Sequence, residues 1–326
     1  MKHLIFKFLA LIIFGLLSSN SFSQSILDWK REWPNTNFDK NEVALSEIIS
    51  GGPPKDGIPA IDTPEFLSAS NIKDIGNNEP VIYLVNGSDV KAYPFRILMW
   101  HEIVNDMLGD IPVTVTYCPL CNAAVVFDRR INGKLLDFGV SGKLRHSDMI
   151  MYDRQTESWW QQFLGVSIVG EMTGVELKRL PARIVPFNEF RQLYPDGEVL
   201  ISRDPMIRPY GENPYVNYDS ASRPFLYKGR YEGPGSPMSY VIGVEQDAWL
   251  LTDVREIKKF SHNDLTIEWQ VGMNSSLDTT KISDGRDIGY VTVSRKTPIG
   301  RVDVAFDMTF AFVFKAFYPE GIIHEF

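Results

Sequence analysis

Residues 114–129 are TVTYCPLCNAAVVFDR, and this stretch contains both cysteines of the 326-residue chain, Cys118 and Cys121. β-Branched and aromatic residues on either side of the pair favour strands, which we predict over residues 113–117 and 123–127. The Cys-Pro-Leu-Cys segment then connects two neighbouring strands. A thioredoxin-like dithiol opens a helix instead, so the strand-forming residues after Cys121 argue against that fold.

The flanking sequence predicts further antiparallel pairing. Asn86-Gly87 separates two apolar runs within residues 81–93, which is typical of a hairpin. We predict a helix over residues 95–108, begun by Pro94 and ended by Gly109-Asp110, and a β-rich C-terminal stretch over residues 301–317. The predicted fold class is α+β, with mainly antiparallel sheets and few short helices.

The order strand, turn, strand, helix, Asn-Asp occurs twice in the sequence. It runs from Val81 to Asn105-Asp106 and again from Tyr240 to Asn263-Asp264. We therefore predict a weak internal duplication, with the second copy in residues 240–326. No linker divides the chain, so residues 51–326 are predicted to form one large domain with its densest signals in residues 51–205.

The Cys118-x-x-Cys121 pair allows three interpretations. It can be a redox dithiol, in which one thiolate attacks and the other resolves. It can be half of a metal site, with copper or zinc as the ion and His101 or His146 as further ligands. It can also be a short structural disulfide, although a bridge over so small a loop restricts the unfolded chain little.

His101 is the predicted partner of the two sulfurs. Ile97, His101, Val104 and Leu108 share one face of the predicted helix. Counting the rise of that helix and of the following strand places His101 level with Cys118. We expect an imidazole nitrogen within about 4 Å of a sulfur, where it can lower the thiol pKa or share a metal. The alternative is a structural histidine bound to a backbone carbonyl.

A second polar cluster occupies residues 142–160. From it we predict His146, Asp148, Tyr152 and Trp159 as residues that line a cofactor or ligand pocket, together with Tyr117 beside the first cysteine. The alternative is a set of side-chain turns around residues 153–156.

Composition excludes several classes of protein. The net charge is −8 and the basic residues form no stripe, so we expect no nucleic-acid partner. A small molecule or a redox partner protein is the expected partner. The sequence also lacks the motifs of serine hydrolases, phosphate-binding loops and zinc proteases.

The N-terminus has the layout of a secretory signal peptide. Lys2, His3 and Lys7 precede an apolar run over residues 8–17, and Ser21-x-Ser23 fits a cleavage site. Ten apolar residues are too few for a membrane span, which needs about 20. We predict a signal peptide over residues 1–23, a lead-in over residues 24–50, no membrane span after cleavage, and a periplasmic or extracellular location.

Five stretches resemble a bacterial domain-of-unknown-function family, number 3179: GGPPKDGIPAI from Gly51, AYPFRILMWHEIVND from Ala92, TVTYCPLCNAAVVFDR from Thr114, FGVSG from Phe138 and DMIMYDRQTESW from Asp148. The resemblance covers most of residues 50–205. No reaction is established for that family. Its members are often exported, and some are selenoproteins with selenocysteine in the C-x-x-C motif. The resemblance therefore implies a reactive chalcogen at Cys118 or Cys121. It also favours His101 over His146, since the family usually has another residue there.

We therefore expect an exported protein with thiol-redox or metal-dependent chemistry at Cys118 and Cys121, with His101 as base, pKa modulator or ligand. An oxidoreductase and a metal-dependent enzyme are both compatible with these residues. The competing hypothesis is a non-catalytic periplasmic domain that binds a ligand or partner and has a structural cysteine pair.

Export gives the first testable prediction. If residues 1–23 are removed on secretion, the intact mass of the secreted protein should correspond to a chain beginning at Gln24. A membrane-bound product that retains Met1 would contradict the assignment.

Overall fold

The computed structural model describes residues 26–298 and 300–326. The predicted signal peptide lies outside these residues. The described part is dominated by mostly antiparallel sheets with short helices between them, in agreement with the coarse fold prediction. Within it, no helix is long and apolar enough to span a membrane.

The helices are short. They are α1 (26–32), α2 (Phe95–His101), α3 (Phe187–Leu193), α4 (Leu251–Ile257) and α5 (Ala311–Phe317).

The strands are β1 (Ile48–Ser50), β2 (Glu65–Ser68), β3 (Pro80–Asn86), β4 (Asp89–Pro94), β5 (Ile103–Leu108), β6 (Ile111–Cys118), β7 (Ala123–Asp128), β8 (Arg130–Ile131), β9 (Lys134–Leu135), β10 (Phe138–Arg145), β11 (Asp148–Asp153), β12 (Trp159–Gln161), β13 (Val166–Val169), β14 (Arg183–Pro186), β15 (Glu198–Ile201), β16 (Tyr240–Val244), β17 (Asp247–Leu250), β18 (Lys259–His262), β19 (Leu265–Gln270), β20 (Tyr290–Thr297), β21 (Gly300–Asp303), β22 (Asp307–Phe310) and β23 (Ile322–His324).

These strands form five sheets of three to five strands and one two-stranded ribbon within the described residues. Their orders are β1-β10-β11-β12-β13, β14-β3-β4-β15-β2, β5-β6-β7, β22-β16-β17-β23, β18-β19-β20-β21 and β8-β9. Most pairs are antiparallel; β15 with β4 and β23 with β17 are parallel.

The helix predicted over residues 95–108 is wrong in its second half. Helix α2 ends at His101, Glu102 turns the chain with φ +58°, and Ile103 begins β5. The β-branched pair Ile103-Val104 favours a strand, and β5 forms a complete ladder with β6. Tertiary pairing thus overrides the helical spacing of the apolar residues.

The prediction of a β-rich stretch over residues 301–317 is also only partly correct. Residues 311–317 form α5, directly after β22. Phe312, Val313 and Phe317 are buried on this helix. Aromatic and β-branched residues are typical of strands, which is why the sequence predicted a strand here.

Two parts of the chain share one element order. The first unit contains β3, β4, α2, β5, β6 and β7, and the second contains β16, β17, α4, β18, β19 and β20. Adding 156 to the residue numbers of α2 gives the residue numbers of α4. Each helix is followed by a residue with positive φ, Glu102 (φ +58°) and Lys258 (φ +65°). The turn after β5 is Gly109-Asp110, and the turn after β18, which is two residues shorter than β5, is Asn263-Asp264. Asn105-Asp106 lie within β5, so their predicted match to Asn263-Asp264 is wrong in register.

Each unit is completed by a strand, a helix and a strand from further along the chain. These are β14, α3 and β15 for the first unit, and β22, α5 and β23 for the second, with an offset of 124 residues. Tyr194-Pro195-Asp196-Gly197 and Tyr318-Pro319-Glu320-Gly321 end the two helices with matching backbone hydrogen bonds. The duplication itself remains a prediction, which this shared order supports.

One large cluster of buried apolar side chains includes residues of both units. A separate cluster packs Trp29, Trp33 and Phe38 of the lead-in against Trp159 and Tyr152. The lead-in therefore contributes to the core, although its sequence is polar.

The two helix-ending turns generate a stability prediction. A Cβ added at Gly197 would lie 2.8 Å from Phe190 Cζ, and one at Gly321 would lie 2.8 Å from Phe314 Cζ. We expect Gly197→Ala and Gly321→Ala each to lower the free energy of unfolding by roughly 1–3 kcal/mol, as overpacking does. Urea denaturation measures this, with the exposed neighbours Asp196→Ala and Glu320→Ala as controls. Unchanged stability in both glycine variants would contradict the close packing.

Candidate functional site

The turn between β6 and β7 holds the two cysteines. Cys118 and Ala123 face each other as the last pair of the ladder. The backbone N–H of Cys121 donates to the Cys118 carbonyl at 3.2 Å, and that of Asn122 to the Pro119 carbonyl at 3.1 Å. Asn122 takes the left-handed conformation, φ +49°, which asparagine tolerates. Both thiols are free and buried.

Groups from the second unit, and Tyr218 from the segment before that unit, form hydrogen bonds with this turn. Thr309 Oγ1 donates to the Cys121 carbonyl at 2.7 Å, and Asn122 Nδ2 donates to the Met308 carbonyl at 3.1 Å. The Tyr218 hydroxyl donates to the Leu120 carbonyl at 3.0 Å. The sulfurs are thus held on a backbone whose carbonyl groups are bound on several sides.

Asp148 is brought to the sulfurs by a hairpin. Strands β10 and β11 meet at Arg145 and Asp148, and the two residues between them, His146 and Ser147, both have positive φ. Asp148 Oδ2 accepts hydrogen bonds from Gln161 Nε2 at 2.6 Å and the Phe163 N–H at 3.0 Å.

The other oxygen, Asp148 Oδ1, is buried and has no hydrogen-bond partner among the described residues. One ligand atom each from Cys118, Cys121 and Asp148 lies within 4.8 Å of the other two. Asp148, predicted from the sequence as a site residue, is therefore placed together with the cysteine pair.

Burial controls the protonation of this cluster. Burial raises the pKa of Asp148 to about 7, although hydrogen bonds from the Phe163 N–H and Gln161, and the presence of the two adjacent thiols, oppose the rise. Burial also raises the pKa of Cys118 and, more strongly, that of Cys121. The protein alone therefore favours neutral thiols near pH 7, and a cation would be needed to make both of them thiolates.

Glu102 is a fourth ligand-type residue near the cluster, and sequence reasoning missed it. Its position at the left-handed turn after α2 places it against the cysteine loop, and its carbonyl accepts the Tyr117 N–H at 2.8 Å. Burial, and next the charge of Asp148, raise the pKa of Glu102 to about 8. The sequence does offer one signal for Glu102, which is a charged residue that follows a run of apolar helical residues. The prediction of a helix that continues to residue 108 concealed this signal.

A cavity of about 140 Å³ adjoins the cluster. Glu102, Cys118, Lys143, Met149 and Tyr215 are among its lining residues. Lys143 Nζ is already bound to Glu32 at 2.8 Å, so its charge is balanced on the protein. Since one water takes about 30 Å³ of liquid, the cavity suits a few waters or a very small molecule.

His101 is not one of the groups around the sulfurs. Its Nδ1 bonds to the Pro59 carbonyl at 2.8 Å and its Nε2 to the Tyr210 hydroxyl at 2.7 Å, with the two rings stacked. Both ring nitrogens are thus engaged elsewhere. The expected His101–sulfur pair is wrong because the chain reverses directly after His101, and the structural alternative describes this residue.

Tyr117 and His146 flank the cluster without joining it. The Tyr117 hydroxyl lies 3.1 Å from Asn122 Oδ1 and 2.9 Å from Ser276 Oγ, so it connects the cysteine loop to the second unit. His146 Nε2 lies 3.5 Å from Glu47 Oε2, and its ring packs edge-on against Phe317. His146 therefore supports the hairpin that carries Asp148.

Tyr152 and Trp159 belong to the buried cluster that also contains aromatic residues of the lead-in. Trp159 packs against Trp33 with ring centroids 5.4 Å apart, and Tyr152 packs against Trp33 at 4.7 Å. The Tyr152 hydroxyl donates to Asp56 Oδ2 at 2.5 Å. These contacts give both residues a packing role, outside the cavity beside the cysteines.

One family model, described as "Protein of unknown function (DUF3179)", matches residues 55–321. No curated protein matches the chain. No solved structure matches it either.

The buried acids predict how stability depends on pH. Glu102 binds its proton more tightly when folded than when unfolded, so unfolding releases a proton between about pH 4.3 and pH 8. The free energy of unfolding, measured in urea with chelator, should therefore fall as pH rises through this range, by an amount on the order of a few kcal/mol. Glu102→Gln should flatten the fall.

The exposed Glu256→Gln is the matched control and should leave the pH profile unchanged. A Glu102→Gln profile as steep as that of the unsubstituted chain would contradict the raised pKa.

Proposed function

The chain belongs to the DUF3179 family, and we propose that it binds a transition-metal ion, zinc or copper, through Cys118, Cys121 and Asp148, and uses that ion in chemistry on a small molecule. The observation that carries this proposal is the unpartnered, buried oxygen of Asp148 beside two buried thiols. An unpaired buried carboxylate oxygen is costly unless a proton or a cation satisfies it.

The donor set fits the proposed ion. In a tetrahedral zinc site, sulfur ligands at about 2.3 Å and oxygen ligands at about 2.1 Å lie roughly 3.4–3.8 Å from one another, within the spread of these three atoms. Zinc accepts both thiolate and carboxylate, whereas copper(I) would depend on the sulfurs. Binding would release protons from the thiols and Asp148, so affinity should rise with pH.

Three protein ligands would leave one coordination position open. Closed structural zinc sites have four protein ligands, whereas catalytic sites have three and a position for water or substrate. Here the adjoining cavity would supply the space, and Glu102, protonated below about pH 8, could donate a hydrogen bond or a proton to a molecule bound there. The metal, when bound, would act as a Lewis acid.

Thiol redox chemistry is the second candidate, supported by the contact between Asp148 and both thiols. A carboxylate with a pKa of about 7 could accept the proton of the attacking thiol as a disulfide forms. The burial of both sulfurs would restrict this chemistry to oxidants small enough for the cavity.

We also propose that the protein is exported, on the strength of the basic start and apolar run of residues 1–23. In an oxidising compartment a free dithiol tends to become a disulfide. A bound metal would protect the pair there.

Cobalt substitution tests the metal proposal. The chain has two cysteines, so any thiolate-to-cobalt charge-transfer absorption must come from Cys118 or Cys121. We expect the untagged protein, purified without oxygen, to bind Co²⁺ with such a band, and Cys118→Ser to abolish or strongly weaken it. Asp148→Asn should weaken binding at least about tenfold, since it removes an anionic ligand.

His101→Ala is the control and should change neither the band nor the affinity. Absence of the band, with Cys118 and Cys121 instead cycling reversibly between dithiol and disulfide and slowed by Asp148→Asn, would replace the metal proposal with the redox candidate. A pair that binds no metal and does not cycle would leave a binding domain with structural cysteines.

A further inference from the structure

A second group of ligand-type side chains lies in the second unit. Asp247 begins β17, His262 ends β18 and His324 ends β23. One ligand atom from each lies within 4.8 Å of the other two, and this is the other such group among residues 26–298 and 300–326. Three different strands supply the side chains, so the convergence is fixed by the sheet framework.

The distances are close to those of a coordination site. His324 Nε2 lies 2.6 Å from Asp247 Oδ1, and His262 Nε2 lies 3.9 Å from Asp247 Oδ2. Ligand atoms of a tetrahedral zinc ion bound by nitrogen and oxygen lie about 3.4 Å apart. One observed distance is shorter than this value and the other is longer, so small side-chain rotations would bring the three groups to the spacing of zinc ligands.

The site is accessible and its geometry is supported. The side chains of Asp247, His262 and His324 are 36%, 31% and 27% exposed, so an ion can reach them from solvent. Trp249 stacks on the His324 ring and meets the His262 ring edge-on, with centroids 5.3 and 5.1 Å apart. Within the described residues, no lysine or arginine forms an ion pair with Asp247.

The first unit provides an internal comparison. The offsets of 156 and 124 residues align Asp247 with Lys91, His262 with Asp106, and His324 with Leu200. There, Lys91 Nζ and Asp106 Oδ2 form an ion pair at 3.0 Å. The second unit thus has two imidazoles and a carboxylate where the first has an ammonium, a carboxylate and an apolar side chain. In the first unit a lysine side chain supplies the cation of this group, whereas the second unit has no lysine or arginine at the three positions.

We propose that Asp247, His262 and His324 bind a divalent transition-metal ion such as Zn²⁺. Two imidazoles and one carboxylate are nitrogen and oxygen donors of the kind that Zn²⁺, Co²⁺ and Ni²⁺ accept. Three protein ligands leave at least one position to solvent. This site is independent of the cysteine centre, because it contains no sulfur and lies on other strands.

Metal titration of the untagged full chain tests the proposal. Co²⁺ bound at this site gives no thiolate charge-transfer band, so it is distinguishable from Co²⁺ bound by cysteine. We expect His324→Leu, which installs the side chain found at Leu200, to remove one bound equivalent and to leave any thiolate band unchanged. Asp247→Asn should weaken the same equivalent at least about tenfold.

His146→Ala is the matched control, since that imidazole is comparably exposed and also lies near one carboxylate. Circular dichroism and thermal melting establish that the variants are folded, and Asp247→Asn, which preserves shape, decides the outcome if His324→Leu does not fold. Stoichiometry and affinity equal to those of the unsubstituted chain in the folded variants would overturn the proposal. Loss of the thiolate band in these variants, with the number of bound equivalents at this site unchanged, would also overturn it.

Discussion

The carboxylate of Asp148, which is buried beside two thiols, is the constraint on which the protonation of this site depends. One oxygen accepts hydrogen bonds from Gln161 and Phe163, and the other is buried without a hydrogen-bond partner among the described residues. A buried acid in this state either keeps its proton or binds a cation, and burial favours the protonated form by raising the pKa of Asp148 to about 7. Glu102 adds a second buried acid to the same low-dielectric region.

The rest of the molecule maintains that arrangement. The hairpin before Asp148 needs two consecutive left-handed residues, His146 and Ser147, and the cysteine turn is bound through its carbonyls by Thr309 and Tyr218. Thr309 of the second unit and Tyr218, which precedes that unit, therefore hold the cysteine turn of the first unit in place. Both units contribute side chains to one large apolar core, so separation of the units would expose part of that core and release the turn that carries both sulfurs.

Local patterns in the sequence predicted the strands and the turn around Cys118 and Cys121, because alternation and Asn-Gly or Pro-containing turns act over a few residues. They also predicted Asp148. They failed at residues 102–108, where apolar spacing fitted a helix but pairing with β6 prevailed. The error carried over to His101, whose placement had been calculated from that helix. The same error concealed Glu102, which lies directly after the true end of the helix. The Asp247, His262 and His324 group could not be found locally, since its members meet only through the sheet topology.

The two units show how one framework can support different chemistry. The turn that carries the cysteines in the first unit is replaced in the second by residues 271–289, between β19 and β20. There Asp287 accepts the Gly272 N–H at 3.0 Å, and Asn274 Nδ2 donates to the Ser283 carbonyl at 2.8 Å. Those side chains satisfy the backbone, so that turn has a structural role. Conversely, Lys91 pairs with Asp106 in the first unit, whereas in the second unit Asp247 lies near the imidazoles of His324 and His262 and pairs with no lysine or arginine among the described residues. The two units thus share a fold but differ in the polar side chains at corresponding positions, and the two metal proposals depend on those side chains and not on the fold.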